Sequence, residues 1–379
     1  MTVSKIATKF RVILKDLSYA TIARFDSWNA LSYINKLNDM GSYKFELPYD
    51  DPRVSFFKLD SIMIIERSIP GLNIPFYQEF TGLMRAETYE INDTGKQSFV
   101  VTGVNPTELL SRRIINYSKA TIKSEKSAVA ETAICEYVNE NCGPLATLAW
   151  NREIDGVIPG FFTDASAGRG ILWEGDRAYE NLLDVVKDIA KFSSLDFEVI
   201  YDDVLKMFGF KVFSPIYGLN RSIDGMDMDT GLNMYGNTPV IFSLERGNIK
   251  NLKYISDRVG EVNVVSVLGD GDGATRWVEV VTSPAMTDSP LNQREISRPQ
   301  GGFISQMQTT GNEVIEDMKA KVSIEFQPLP QESCMYGVHF GLGDVVSVRF
   351  RGVTENKKIV SVTNTVDTIE KLQFVFEPA

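Results

Sequence analysis

Gly41-Ser-Tyr-Lys-Phe-Glu-Leu47 alternates polar and apolar residues with a period of two and stops at Pro48. Successive side chains of a strand point to opposite faces. The pattern therefore predicts a strand with Tyr43, Phe45 and Leu47 on a core and the residues between them in water. The surrounding sequence repeats the signal. Lys9-Phe-Arg-Val-Ile-Leu14 and Ala20-Thr-Ile-Ala-Arg-Phe25 precede it, with a polar loop expected between Phe25 and Gly41. Asp60-Ser-Ile-Met-Ile-Ile-Glu-Arg67, Phe76-Tyr-Gln-Glu-Phe-Thr-Gly-Leu-Met84 and Ala86-Glu-Thr-Tyr-Glu-Ile91 follow, then Gln97-Ser-Phe-Val-Val-Thr102 across a turn at Asn92-Asp-Thr-Gly95. Strands in direct succession, punctuated by Asn, Asp, Gly and Pro, indicate an antiparallel barrel or sandwich rather than βαβ units.

Beyond Asn105 the period changes. Asn105-Pro-Thr-Glu-Leu-Leu110 reads as a cap with proline at the first helical position, and the spacing of Val129, Ala133, Ile134 and Val138 predicts a helix over 127–138. Residues 150–175 read as a Gly-containing loop. A second helix is expected over 176–190, with Tyr179, Leu182, Leu183, Val186 and Ile189 on one stripe, followed by a hairpin of 195–201 and 207–213. The middle of the chain is thus a small α+β unit. Strands return at 240–244, 261–268 and 276–281, a short helix is expected over 313–319, and strands at 344–350, 358–363 and 371–376 close the chain.

The opening and closing meanders resemble each other. Asp60-Ser-Ile-Met-Ile-Ile, a Gly-Leu-Met strand and a Ser-Phe-Val-Val strand parallel Asp344-Val-Val-Ser-Val-Arg, Lys358-Ile-Val-Ser-Val and Leu372-Gln-Phe-Val-Phe. Two similar β units flanking the α+β part would produce this echo. So would any two antiparallel meanders, and the pattern alone leaves both readings open.

The 379 residues suggest two or three domains, and 43% hydrophobic content is enough for each to bury a core. A single histidine, His339, excludes multi-histidine metal centres and histidine pairs. Its setting between glycines, just before a strand, suits a structural or surface role. Cys135, Cys142 and Cys334 are odd in number and follow no CxxC spacing, so neither a zinc cage nor a disulfide framework is indicated, and a reducing compartment fits best. Fifty acidic residues against 39 basic ones give a net charge of −11 without a run of five Lys or Arg, which disfavours specific nucleic-acid binding. No signal peptide and no apolar run of membrane-spanning length is present, so a soluble protein without stable membrane insertion is expected.

The candidate chemistry is sparse. Asp224-Gly-Met-Asp-Met-Asp-Thr-Gly231 and Gly269-Asp-Gly-Asp-Gly273 are dense in oxygen, but the twelfth loop position is Thr238 counted from Asp227 and Val281 counted from Asp270, so both read as polar turns rather than calcium loops. Neither a P-loop nor a GxSxG elbow occurs. Carboxylate neighbours such as Glu153 with Asp155, or Asp202 with Asp203, carry no specificity without a measured separation across a cleft. Phe161, Phe162, Trp28, Trp150, Trp173 and Trp277 could line a sugar groove, yet singly placed aromatics in β domains are usually core. The reading is a non-enzymatic protein with no catalytic, metal or cofactor residues.

Taken together, Asn38-Asp-Met-Gly-Ser-Tyr-Lys-Phe-Glu-Leu-Pro48, Gly103-Val-Asn-Pro-Thr-Glu-Leu-Leu-Ser-Arg-Arg113, Ile189-Ala-Lys-Phe-Ser-Ser-Leu-Asp-Phe197, Phe242-Ser-Leu-Glu-Arg-Gly-Asn-Ile249 and Val262-Asn-Val-Val-Ser-Val-Leu-Gly-Asp-Gly271 resemble the baseplate hub or tail-associated proteins of long-tailed siphophages. The resemblance runs in order over most of the chain. It implies a fold similar to the hub of contractile tails: mainly β with an α+β insertion, holding two tail-tube-like antiparallel β-barrels. On that model residues 1–118 form the N-terminal tube-like barrel domain, 119–239 the α+β insertion, and 240–379 the second tube-like β domain. Arg112, Arg113 and the Gly247-Asn248 turn would be structural.

The implied protein is a structural component of the virion, assembled in the host cytoplasm and placed at the tail tip. Three copies would form a ring that continues the tube, binds the distal tail protein, neighbours other tip proteins such as a fibre or spike and the tape measure, and lets DNA pass without specific binding. An acidic lumen would repel the phosphate backbone. The chain ends directly after a strand, as a hub without lytic or receptor-binding extensions would. The rivals are a carbohydrate-binding or cell-wall-degrading tail protein, and a distal tail ring, which would be hexameric.

Overall fold

The computed structural model describes residues 8–91, 93, 95–148, 152, 154–300, 304–329, 331, 334–366 and 370–379. The first strands are β1 (Lys9–Lys15), β2 (Thr21–Phe25), β3 (Ala30–Lys36), β4 (Ser42–Pro48), β5 (Ile62–Ile69), β6 (Ile74–Ile91) and β7 (Gln97–Val104). There follow α1 (Glu108–Ser111), β8 (Ser124–Val129), α2 (Ala130–Asn141), β9 (Phe161–Thr163), β10 (Leu172–Arg177), α3 (Leu182–Phe192), β11 (Asp196–Asp202) and β12 (Met207–Phe213). The remainder holds β13 (Asn220–Arg221), β14 (Ile241–Ser243), β15 (Ile249–Asp257), β16 (Val264–Leu268), β17 (Val278–Thr282), β18 (Glu295–Pro299), α4 (Ile304–Asp317), β19 (Lys321–Pro328), β20 (Val345–Phe350), β21 (Val353–Val366) and β22 (Glu370–Pro378).

The protein is mainly β, with an α+β part between β7 and β13. One fourteen-stranded sheet runs β15-β19-β22-β21-β3-β4-β7-β6-β5-β1-β2, with β20 branching from β21 and pairing β13 and β14. Among the described residues the path from β15 to β2 is open, and no pairing closes either half into a barrel.

Each alternating segment finds its core. On β4, Tyr43, Phe45 and Leu47 are buried, as the period of two requires. The first half of β5, Ile62–Ile65, is apolar without a break because both of its faces are covered: Met63 and Ile65 join Phe25, Phe45 and Phe99 in one core, while Ile62 and Ile64 pack with the α+β part. On α3, Asn181 caps the helix by accepting from the Leu183 N–H at 3.0 Å, and Leu182, Leu183, Val186 and Ile189 fill the core shared with α2. A third core around Phe242, Phe326, Phe374 and Phe376 sits under the C-terminal strands, and a fourth under β16 and α4.

Several boundaries differ from the sequence expectations, for identifiable reasons. The polar loop after Phe25 contains β3, whose Leu31 and Tyr33 are buried while Ser32 and Asn35 serve as ladder residues. The two strands expected at 76–84 and 86–91 are one strand bent by a bulge between Met84 and Ala86. The cap expected at Asn105 lies three residues before the short α1. The helix expected from Ser127 begins at Ala130, because 124–129 pair with β10 instead, and β9 and β10 occupy part of the supposed loop at 150–175. Tyr179 leaves the helical stripe, being exposed with a φ of 61° before the cap. Strands β13, β15, β18 and β19 lie outside the expected strands, and α4 covers 304–317 rather than 313–319. Asn92 and Thr94 of the turn at 92–95 lie outside the described residues.

The internal echo is a structural repeat, displaced one residue from the sequence match. Ile62 pairs Leu83 as Val345 pairs Lys358; Met84 pairs Gly103 as Ile359 pairs Phe376; Tyr43 pairs Gly103 as Ile324 pairs Phe376. The bulge at Arg85 recurs at Val360. Asp60 N–H donates to the Met84 carbonyl and Met84 N–H to that of Ser61; Gly343 and Ile359 make the same pair of bonds with Ile359 and Asp344. Asp60 and Gly343 share a left-handed φ, 61° and 79°. The Ser61 hydroxyl accepts from Lys58 N–H, and the Asp344 carboxylate from Gly341 N–H, each three residues back. Agreement in strand order, register, bulge and turn exceeds what two unrelated meanders share.

The halves are fused where β21 pairs β3, Ser361 opposite Lys36 through Val366 opposite Leu31. Behind this seam Arg67, 2% exposed, donates from Nε and Nη2 to the two oxygens of Glu370 at 3.0 and 3.1 Å, and from Nη1 to the Tyr77 hydroxyl and the Tyr336 carbonyl. Asn364 donates to Glu370 and to the Tyr33 hydroxyl. Removing one member of a buried pair strands the other charge, so Arg67→Ala should lower stability by roughly 3–5 kcal/mol in urea denaturation. Arg67→Met combined with Glu370→Leu should recover a large part of that loss.

Candidate functional site

The residues nominated from sequence do not converge. Met335 N–H donates to Nδ1 of His339 at 3.0 Å, and burial together with the Arg221 charge lowers the imidazole pKa. This histidine therefore holds a turn. Burial pushes the Cys135, Cys142 and Cys334 thiols up to about 12, which keeps them protonated and poorly nucleophilic.

Asp227 accepts from the N–H groups of Asp229 and Thr230, Asp224 from the Asn356 amide, and Asp272 from Arg276. Each of these aspartates thus serves its own turn or a neighbouring side chain through one oxygen, and no metal-holding cluster occurs among the described residues. Asp202 caps the turn at Val204 and Leu205, whereas Asp203 pairs Lys15 at 2.7 Å; the two serve different partners. Asp155 accepts from Val157 N–H, and Glu153 and Trp150 lie outside the described residues. Phe161 and Trp173 are core, Trp28 and Phe162 are partly covered, and Trp277 is exposed rather than core. Arg112 bridges Asp60 and Glu108 at 2.9 and 2.6 Å, Arg113 donates to the Gly156 carbonyl, and Asn248 closes its turn by bonding Ser243 and Ile241.

Sequence reasoning missed a polar cleft of about 150 Å³ between β6 and the β11–β12 hairpin, lined by Glu79, Glu198, Tyr201 and Tyr217. Burial raises the Glu79 pKa against the opposing pull of Arg67, and Tyr336 donates to this carboxylate at 2.8 Å. Burial also raises Glu198, to about 7, with the Tyr217 hydroxyl as its partner. Ligand pockets usually span about 300–1,000 Å³, so this cleft is smaller than a usual ligand site and is a seam between structural parts.

Asp196 ties the same parts together. Its carboxylate accepts from the Asn38 amide at 3.0 Å, Tyr217 N–H at 2.7 Å and the Lys358 ammonium at 2.6 Å, and so joins the α+β part to both halves of the sheet.

Two open edges of the large sheet are long enough to take another strand. Residues 86–91 of β6 pair β7 on one side, and β15 pairs β19 on one side; among the described residues neither has a strand on its other side. Tyr89 and Ile91 are 55% and 71% exposed, and Tyr254 41%. Open edges of this length invite another strand.

The comparisons with known proteins point one way. A family model described as Siphovirus ReqiPepy6 Gp37-like protein matches residues 10–374. No curated protein matches the chain. Among solved structures, the fold is shared with a tail protein from Neisseria meningitidis MC58, at 12% identity and a TM-score of 0.58 over 97% of this chain and 96% of that one. A 43 kDa tail protein of prophage MuSo2 from Shewanella oneidensis gives 10% identity and a TM-score of 0.58 over 98% of both chains. Prophage tail protein gp18 from Listeria monocytogenes EGD-e gives 10% identity and 0.52 over 98% and 94%. Among the described residues no helix is long and apolar enough to cross a membrane.

The Glu198 carboxyl fixes a pH dependence. A pKa above the unfolded value contributes stability that is full below about 4.5 and is lost as pH rises through about 7. Melting temperature should therefore fall between pH 5 and 8. Glu198→Gln should flatten the fall by an amount on the order of 2–3 kcal/mol. His339→Gln should lower stability by about 0.5–1.5 kcal/mol in the same melts, the worth of the hydrogen bond from Met335 N–H.

Proposed function

The chain belongs to the Siphovirus ReqiPepy6 Gp37-like protein family, and from that premise we propose that it is the structural hub of a siphophage tail tip. Three copies form a ring that continues the tail tube, seats the distal tail protein on one side and other tip proteins on the other, and leaves a path for DNA. The observation that carries this reading is the duplicated strand unit, matched in register, bulge and turn. A ring of three such chains presents six equivalent units, and so can dock onto a sixfold tube.

The division into 1–118, 119–239 and 240–379 remains part of this proposal, with the α+β part held against the ring by Asp196. Protonated buried thiols and aspartates that accept from main-chain N–H groups in their own turns support a non-enzymatic role. With a net charge of −11, an acidic lumen would keep DNA from adhering during ejection.

Mass measurement of the ring released from intact tails should give three copies of the 42.4 kDa chain. Six copies would assign it to a distal tail ring and overturn the hub reading.

A further inference from the structure

The internal repeat specifies how one copy meets the next. Within the chain, the half of β21 beyond its bulge lies against β3, while the half before the bulge lies against β20. β6 is the repeat equivalent of β21. Its half before the bulge lies against β5, the equivalent of β20, but residues 86–91 meet no strand on that side among the described residues. β15 is the equivalent of β3: Tyr254 pairs Ile324 as Tyr33 pairs Tyr43. It likewise lacks the partner that β3 has. The two open edges are thus the two halves of a contact that the molecule already makes once.

We propose that residues 86–91 of β6 in one copy pair with β15 of a second copy, antiparallel, in the register of the internal seam. Carrying that seam across the repeat places Ala86 opposite Asp257, Glu87 opposite Ser256, Thr88 opposite Ile255, Tyr89 opposite Tyr254 and Glu90 opposite Lys253. The chemistry suits this register. The β6 edge carries Glu87 and Glu90 and the β15 edge Lys250 and Lys253, so opposite charges meet at Glu90 and Lys253, and the two exposed tyrosines cover each other.

The contact is head to tail, since each copy offers one edge of each kind, and such contacts close into a ring when the rotation permits. The inference rests on the ring reading above and adds the surfaces through which the ring closes. In a ring of three, six seams would alternate between the internal β3–β21 kind and the external β15–β6 kind.

The test is cysteine cross-linking of full-length chain in assembled tails, with Glu90→Cys and Lys253→Cys placed on separate chains or on the same chain. Both positions are on the surface, and the wild-type chain controls for its own cysteines. Mixed single variants should give a covalent dimer, and the double variant a ladder ending at three. Tyr89→Cys with Lys253→Cys, on opposite faces of the seam, should give little product. A three-copy ring by mass in which the 90–253 pair gives no more product than the 89–253 pair overturns the edge pairing and leaves the hub standing. A ladder that runs to six supports the pairing and overturns the trimer. Tails in which this chain forms no ring overturn both.

Discussion

The antiparallel seam between β3 and β21 is the constraint on which the rest of the structure depends. It joins strands more than 300 residues apart in sequence into one sheet, with Arg67 and Asn364 buried and Glu370 partly buried behind it. An ion pair removed from water gains little unless its remaining hydrogen-bonding groups are satisfied, and here the guanidinium meets a carboxylate, a tyrosine hydroxyl and a main-chain carbonyl together. The ladder from Ser361 opposite Lys36 to Val366 opposite Leu31 sets the register, and the network bonds residues of both halves behind it.

With the seam fixed, the two halves become repeat units in a defined relation, and the other parts attach around them. The α+β part packs onto the outer face of β5 through Ile62 and Ile64 and is anchored at Asp196 to Asn38 of one unit and Lys358 of the other. The three-stranded insertion between β15 and β19 is held by α4, whose Glu313 receives Arg177 and the Trp173 indole. Several buried polar groups therefore sit at the joints between parts, where register and orientation have to be specified, while others, such as Glu131 with Arg169 and Glu140 with Lys126, tie elements together within one part.

The strands with strict alternation were legible because a period of two reports a half-buried strand directly, as Tyr43, Phe45 and Leu47 show. β3 was not legible: only Leu31 and Tyr33 are buried, and its polar residues acquire a strand role from neighbours at 361–366 that local sequence does not reveal. Residues 127–129 have helical spacing yet form a strand because β10 lies beside them. The repeat was visible only as a weak echo, since bulges and turn hydrogen bonds, rather than residue identities, carry the likeness. Arg67, Glu79, Glu198 and Asp196 carried no sequence signal, because a charge in a chain gives no indication that it will be buried.

The central claim is that two repeats in one chain act as quasi-equivalent units of a closed ring. Three-dimensional reconstruction of the tail tip by electron microscopy, refined without imposed symmetry, tests it directly. The account predicts three copies of this chain arranged as six strand units, with strand density continuous from β15 of each copy to residues 86–91 of the next. Six copies in strict sixfold symmetry, or a threefold ring with both edges facing solvent, would contradict it.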